Sequence, residues 1–327
     1  MKKHILFFIL AMLPMAAYAD DSGSCGDNLT WTFVESTGTL TISGSGAMTD
    51  FANNRAIPWY AYINSIEKVI IENGVTTIGR CAFYLCNNIS SVTIPNSVTN
   101  ISDYSFFSCN NISSIVIPNN VTSIGEDAFC GCSGLTTITI PSSVTFIGAS
   151  AFSGCNGLTS VEILGSSLTS LNDWVFGQCG NLASVTIPNS VTQIGEYAFS
   201  ECSSLTSIII PNSVTSIGEN AFYGCALSSI NIPQSVTSIA EGAFSSCSSL
   251  TSITVASGNS KYDSRNNCNA IIETSTNTLL NGCSNTFIPD GVIKIGDYAF
   301  SGCVGLTSIN IPNSVTSIGN LAFFGCI

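Results

Sequence analysis

Apolar positions return along this chain on a register of about 23 residues. The most regular of them is a phenylalanine: Phe83, Phe106, Phe129, Phe152, Phe176, Phe199, Phe222, Phe244, Phe300 and Phe323. Neighbours stand 22 to 24 residues apart, except for a gap of 56 between Phe244 and Phe300. A strict period in this range marks a solenoid, in which each unit is too small to bury its apolar face alone and stacking creates one continuous core. The unit Leu205–Cys225 shows the grammar. Leu205, Ile208 and Ile210 have the spacing of a short strand with Ile208 and Ile210 on one face. Pro211 cannot donate to a ladder and ends it. Val214 and Ile217 predict a second extended segment and Gly218 a turn; Ala221, Phe222 and Cys225 fit one short helical turn. The expected fold is therefore an α/β solenoid of units built from a strand, a second extended segment and a helical turn.

The same order recurs around Ile94-Pro95, Ile117-Pro118, Ile140-Pro141, Ile187-Pro188, Ile232-Pro233, Ile288-Pro289 and Ile311-Pro312. The shared pattern, Ile-Pro-x-x-Val-x-x-Ile-Gly-x-x-Ala-Phe-x-x-Cys, resembles the BspA-like class of leucine-rich repeats of bacterial surface proteins, and the resemblance runs from about Val75 to the end. It implies a secreted or surface-exposed protein-binding module that attaches to host matrix proteins or other cells. Residues 20–74, with alternating Leu40 and Ile42 and with Trp31 and Trp59, look like the amino-terminal cap that a solenoid needs over its first open face. Residues 75–327 form the expected repeat stack.

Between Val255 and Ile288 the Ala-Phe-x-x-Cys elements vanish. Two apolar runs, Ile271-Ile272 and Leu279-Leu280, flank Thr274 to Asn277 and predict a hairpin within an extended unit at 253–290. This unit is either a structural variation of the stack or a protruding recognition element.

Residues 1–19 read as a secretory signal peptide: Lys2 and Lys3 precede an apolar run that ends in Ala17-Tyr18-Ala19. Cleavage there leaves six basic residues against 20 acidic ones, a charge of −14. Phosphate recognition requires clustered Lys and Arg, so nucleic acid and anionic membrane are excluded as partners. No later apolar run has the length of a membrane span, and no membrane insertion is expected after cleavage.

Ten of the 15 cysteines, from Cys86 to Cys326, stand three residues after the repeat phenylalanine and read as buried core filler. Cys25, Cys81, Cys130, Cys268 and Cys283 fall outside that column, and among them Cys268 and Cys283 are the pair best placed for a disulfide.

Candidate chemistry is sparse. The single histidine, His4, leaves with the signal peptide, so Ser-His and Cys-His catalysis have no base, and no enzymatic activity is expected. Gly44-Ser45-Gly46 lacks the further glycine or lysine of a nucleotide loop, and no cofactor is expected. Asp103, Glu126, Asp173, Glu196, Glu219, Glu241 and Asp297 each stand three residues before the repeat phenylalanine. A carboxylate at the start of a helical turn gains about 0.3–1 kcal/mol, which explains the column by capping; calcium bridging is the weaker alternative. On the outward face of the strands stand Thr93, Val116, Thr139, Glu162, Thr186, Ile209, Asn231 and Thr254, the candidate ligand-binding positions. Aromatics and Arg, which usually anchor recognition surfaces, are absent from that row. Two readings besides binding stay open: a purely structural surface or matrix component, and a carbohydrate-active enzyme. Gly325-Cys326-Ile327 stops within the repeat grammar, which leads to the expectation that the chain either self-associates through its carboxyl-terminal end or is a truncated relative of a longer protein.

Overall fold

A computed structural model describes residues 21–326; the expected signal peptide lies outside the described residues. The chain winds as a solenoid with three edges per turn. Along the first edge, strands pair in parallel and in register: Thr137–Ile140 with Ser160–Ile163, and Ser160 and Val161 with Ser184 and Val185. Apolar and polar residues alternate there, so Ile138, Ile140, Val161 and Ile163 are buried while Thr139 and Glu162 are exposed. Each Pro that follows accepts a turn bond from the Val three residues on, as in Val144 to Pro141 and Val191 to Pro188 (both 3.1 Å). The second edge is a ladder of short strands, two residues long after Val75–Ile78, that stacks Ile78, Ile101, Ile124 and Ile147 in one line.

The third edge departs from the sequence reading. No helix forms between the second strand and the cysteine; the segment is a run of linked turns, and the fold is a β-solenoid rather than an α/β one. The turn Asp127–Cys132 shows why. Asp127, Phe129 and Gly131 donate their amides to Ala149, Ala151 and Ser153 of the next turn (3.0, 2.8 and 2.7 Å). Ala128, Cys130 and Cys132 donate three residues back, to Gly125, Asp127 and Phe129. An α-helix sends every amide four residues back, and here alternate amides are committed to a neighbour instead. The alternation needs left-handed backbone at Asp127 (φ 51°) and Gly131 (φ 73°). The equivalent positions include Tyr104, Trp174, Tyr197 and Tyr298, all at positive φ, where bulky residues are uncommon.

The glycine that precedes Glu126, Glu196, Glu219 and Asp297 is likewise not a turn residue. A Cβ on Gly125 would lie 2.4 Å from the Asp103 amide nitrogen, and one on Gly218 would lie 2.5 Å from the Gly195 carbonyl carbon. Close approach between turns favours glycine at these positions, although Ser102, Asn172 and Ala240 fill the same column elsewhere in the chain.

The phenylalanines stack down the axis at centroid spacings from 5.0 Å for Phe300–Phe323 to 5.7 Å for Phe176–Phe199. At the amino-terminal end Trp59 takes the phenylalanine's place: its ring stacks on Phe83 at 5.7 Å and its Nε1 donates to the Ala82 carbonyl (3.1 Å). Behind it, strands Asp21–Gly26, Leu29–Val34 and Thr39–Gly44 form an antiparallel meander, whose last strand pairs in parallel with Lys68–Ile71.

Strands Ile271–Glu273 and Thr278–Asn281 form an antiparallel hairpin, and Thr278 and Leu279 then pair in parallel with Lys294 and Ile295. Ile271, Ile272 and Leu279 are buried, so the hairpin packs into the stack instead of protruding. Cys268 and Cys283 are both free and buried; the Cys283 thiol donates to the Asn269 carbonyl (3.5 Å), so the expected disulfide is not formed.

Replacement of the buried Phe199 by Ala removes a ring with neighbours on both sides and should cost about 3–5 kcal/mol in urea unfolding. Phe323 is half-buried and stacks on Phe300 alone among the described residues, so Phe323→Ala should cost clearly less. Equal losses would contradict nearest-neighbour stacking.

Candidate binding surface

All eight candidate ligand-binding residues, Thr93, Val116, Thr139, Glu162, Thr186, Ile209, Asn231 and Thr254, are exposed on the outward face of the first edge. Thr139 pairs with Glu162 and Asn231 with Thr254, whose hydroxyl donates to the Asn231 side-chain oxygen (3.0 Å). Two members of the row stand out. Val116 is 79% exposed and Ile209 85%, although both have a strand-forming, apolar side chain. Each lines a shallow depression in the sheet face. The one at Val116, about 370 Å³, also takes in Thr137, Thr139, Pro141 and Leu164. The one at Ile209, about 270 Å³, takes in Ser184, Thr186, Asn189 and Pro211. Four strand rows at about 5 Å each separate Val116 from Ile209, a span of roughly 20 Å.

The acidic column has a different role from helix capping. Asp103 Oδ1 accepts the Glu126 amide (2.9 Å), Asp173 Oδ1 the Glu196 amide (2.8 Å) and Asp297 Oδ1 the Asn320 amide (3.0 Å). Each aspartate thus caps an amide of the next turn, and Asp50 of the amino-terminal segment does the same for Arg80 (2.7 Å). The longer Glu126, Glu196, Glu219 and Glu241 are exposed. Among the described residues no group of three or more His, Cys, Asp or Glu comes together as a metal-holding cluster.

The cysteine column is buried from Cys86 to Cys303, and its thiols do more than fill space. Cys109, Cys132, Cys202 and Cys225 donate to the carbonyls of Phe83, Phe106, Phe176 and Phe199 in the preceding turn, at 3.1 to 3.2 Å. Burial pushes the thiols of Cys86, Cys132 and Cys202 up to about 12, and those of Cys109, Cys155 and Cys225 well above the ordinary value.

A second set of surface residues escaped the sequence reading. Tyr84 and Phe107 stack on the turn edge at 4.8 Å, Arg80 lies over the Tyr104 ring at 5.3 Å, and Trp174 and Tyr197 stack at 4.4 Å. Aligning the repeats two residues before and one residue after each phenylalanine would have revealed these two columns. The aromatics are intermittent within them, which hid the signal.

The match to the family described as the BspA type leucine rich repeat region covers residues 56–183, 169–278 and 277–327, with six copies. The chain belongs to this family. Among solved structures it is similar to a leucine-rich repeat protein from Eubacterium ventriosum, with 26% identity, TM-score 0.57 and coverage of 94% of this chain and 95% of the other. A leucine-rich repeat protein from Bacteroides ovatus is 27% identical, with TM-score 0.58 and 92% of each chain covered. A leucine rich cell surface protein from Faecalibacterium prausnitzii is 30% identical, with TM-score 0.54, covering 95% of this chain and 76% of that one. No curated protein matches.

The raised thiols set a pH window. In the unfolded chain a thiol ionises near the ordinary value of about 8.5, whereas the buried column stays protonated. Above that value the unfolded state binds fewer protons, so stability, complete below about pH 8, falls as pH rises toward 10 and beyond. Urea midpoints measured across that range should decline steadily, and Cys202→Ala should flatten the decline by one thiol's share. A midpoint independent of pH would overturn the buried-thiol reading. In denaturant without reductant, all 15 cysteines should react with a thiol reagent, against a small minority in the native protein.

Proposed function

We propose that this chain is an exported, surface-displayed repeat module that binds a protein ligand through the outward face of its first edge. The observation that carries the reading is the pair of exposed apolar residues, Val116 and Ile209, each set in its own depression on an otherwise hydroxyl-rich sheet. Their separation of roughly 20 Å suits one partner's footprint of about 800 Å². The row from Thr93 to Thr254 supplies hydrogen-bonding groups around these two anchors. The cell-surface description of the Faecalibacterium prausnitzii protein supports display outside the cell. Partners of this kind are matrix proteins or the surfaces of other cells, and adhesion is the role that follows. Enzymatic activity forms no part of this reading, because His4 is the sole histidine and falls within the proposed signal peptide. Among the described residues no helix is long and apolar enough to cross a membrane, which leaves the mature chain without a helical span there.

Binding of residues 20–327 to immobilised extracellular-matrix proteins should be saturable and should be lost in the Val116→Glu, Ile209→Glu double variant. Both side chains are exposed, so the unfolding midpoint should move by no more than the equivalent of about 0.5 kcal/mol. Retained binding in that variant would move the interface elsewhere. Amino-terminal sequencing of the exported protein should begin at Asp20; retention of the first 19 residues would contradict export through a cleaved signal.

A purely structural component of a surface matrix is the second reading. Ile311, Ile318, Leu321 and Phe324, all exposed near the carboxyl-terminal end of the described residues, are the surface for the self-association it needs. Sedimentation that shows a monomer at high concentration would remove that reading and leave ligand binding untouched.

A further inference from the structure

The turn edge carries one column of side chains two residues before each core phenylalanine and another one residue after it. Near the hairpin unit the first column runs Tyr197, Asn220, Gly242, Tyr298 and Leu321, and the second Tyr223, Ser245, Ser301 and Phe324. Both columns therefore fall to small residues where the hairpin joins the stack. The backbone closes up there: the Ser246 amide donates to the Ser301 carbonyl (2.8 Å), and the Ser245 hydroxyl to the Tyr298 carbonyl (3.4 Å). Meanwhile Gly282 of the hairpin unit takes the bond to the Ala299 carbonyl that a core phenylalanine makes in regular turns.

A slot of about 240 Å³ results, lined by Tyr197, Asn220 and Tyr223 from the turns before the junction and by Tyr298, Leu321 and Phe324 from those after it. Tyr223 and Tyr298 are held partly exposed. Asn220 Nδ2 bridges the Tyr197 hydroxyl (2.9 Å) and Glu219 Oε1 (3.2 Å), which fixes one side. Glu219 and Glu241 also line the slot, and no Lys or Arg does. Among the described residues the one ion pair is Arg265 with Asp263, so these carboxylates have no basic partner in the fold.

The volume lies below the range of about 300–1,000 Å³ usual for drug-sized ligands, so the slot suits one side chain or headgroup. Tyrosine faces attract a cation near the ring, apolar walls accept an aliphatic stem, and carboxylates neutralise the charge. We propose that this slot binds a single lysine or arginine side chain of a polypeptide partner. The site is separate from the sheet face of the first edge and stands whether or not that face binds.

The test is resonance mapping of the isotope-labelled mature chain with acetyl-Gly-Lys-Gly-amide and its arginine counterpart, against the uncharged norleucine peptide and against N-acetylglucosamine. The cationic peptides should shift Gly242, Ser245 and Ser301 saturably and the norleucine peptide should not, with weaker binding at higher salt. Tyr223→Ser and Gly242→Asn should weaken binding about tenfold, and Glu241→Gln about threefold with less salt dependence. Both structural variants have precedents in the chain: Ser stands at the Tyr223 position as Ser153 and Ser200, and Asn at the Gly242 position as Asn220, φ 50°. Tyr223→Ser should unfold like the parent, whereas Gly242→Asn sets a Cβ 2.4 Å from Asn220 Oδ1 and displaces that wall of the slot, so its thermal midpoint should fall somewhat. The proposal is overturned by an equal response to norleucine, by a preference for the sugar, by undiminished binding in Tyr223→Ser, or by the absence of saturable binding. Shifts confined to the Val116–Ile209 face would support the sheet-face interface and overturn this one.

Discussion

Alternate amides along the turn edge are committed to the neighbouring turn, and most of the architecture depends on that commitment. Because Asp127, Phe129 and Gly131 donate across to the next turn while the residues between them donate three back, no helix can form. The same bonds hold Tyr104, Trp174, Tyr197 and Tyr298 in the left-handed region against a cost of order 1–2 kcal/mol each. They bring successive turns so close at Gly125, Gly195 and Gly218 that a Cβ there would meet its neighbour at 2.4 to 2.5 Å, while Ser102, Asn172 and Ala240 fill the same column in other turns. Stacked rings at 5.0 to 5.7 Å in the regular turns are the core's response to that spacing.

Polar side chains serve the same axis. Thr99, Thr122 and Thr145 each donate both amide and hydroxyl to a carbonyl one turn back. The column thiols satisfy phenylalanine carbonyls and the aspartates satisfy amides. Such repeated bonds, rather than ion pairs, link one turn to the next in a chain with charged residues at only 9%. Repetition leaves little room for recognition at the positions that stacking fixes. Specific surface chemistry therefore sits at positions the stacking does not constrain, such as Val116 and Ile209, and where the hairpin unit interrupts the columns.

Period, core and termination signals were open to sequence reasoning, since burial imposes them residue by residue. Phe83 to Phe323, the Ile-Pro strand ends and the Ile271 to Leu280 hairpin are all positions where one side chain's apolarity or one proline's missing amide decides the outcome. The sheet-face row was readable for the same reason, because alternation on a strand assigns each residue a face.

Other features depended on partners about 23 residues away. Ala221, Phe222 and Cys225 have helical spacing, yet the turn edge is not helical, because its amides find acceptors in the next turn that no local pattern announces. Gly218 reads as a turn and Asp103 as a helix cap until the neighbouring backbone is in place. The proximity of Cys268 and Cys283 in sequence suggested a bond, whereas packing buried both as free thiols. By itself the sequence determined which side chains go inside and how often, since hydrophobic burial is a property of each residue. Only the tertiary structure decided where the amides pair, which backbone conformations follow, and that Tyr223 and Tyr298 face one slot, because those depend on which turns become neighbours.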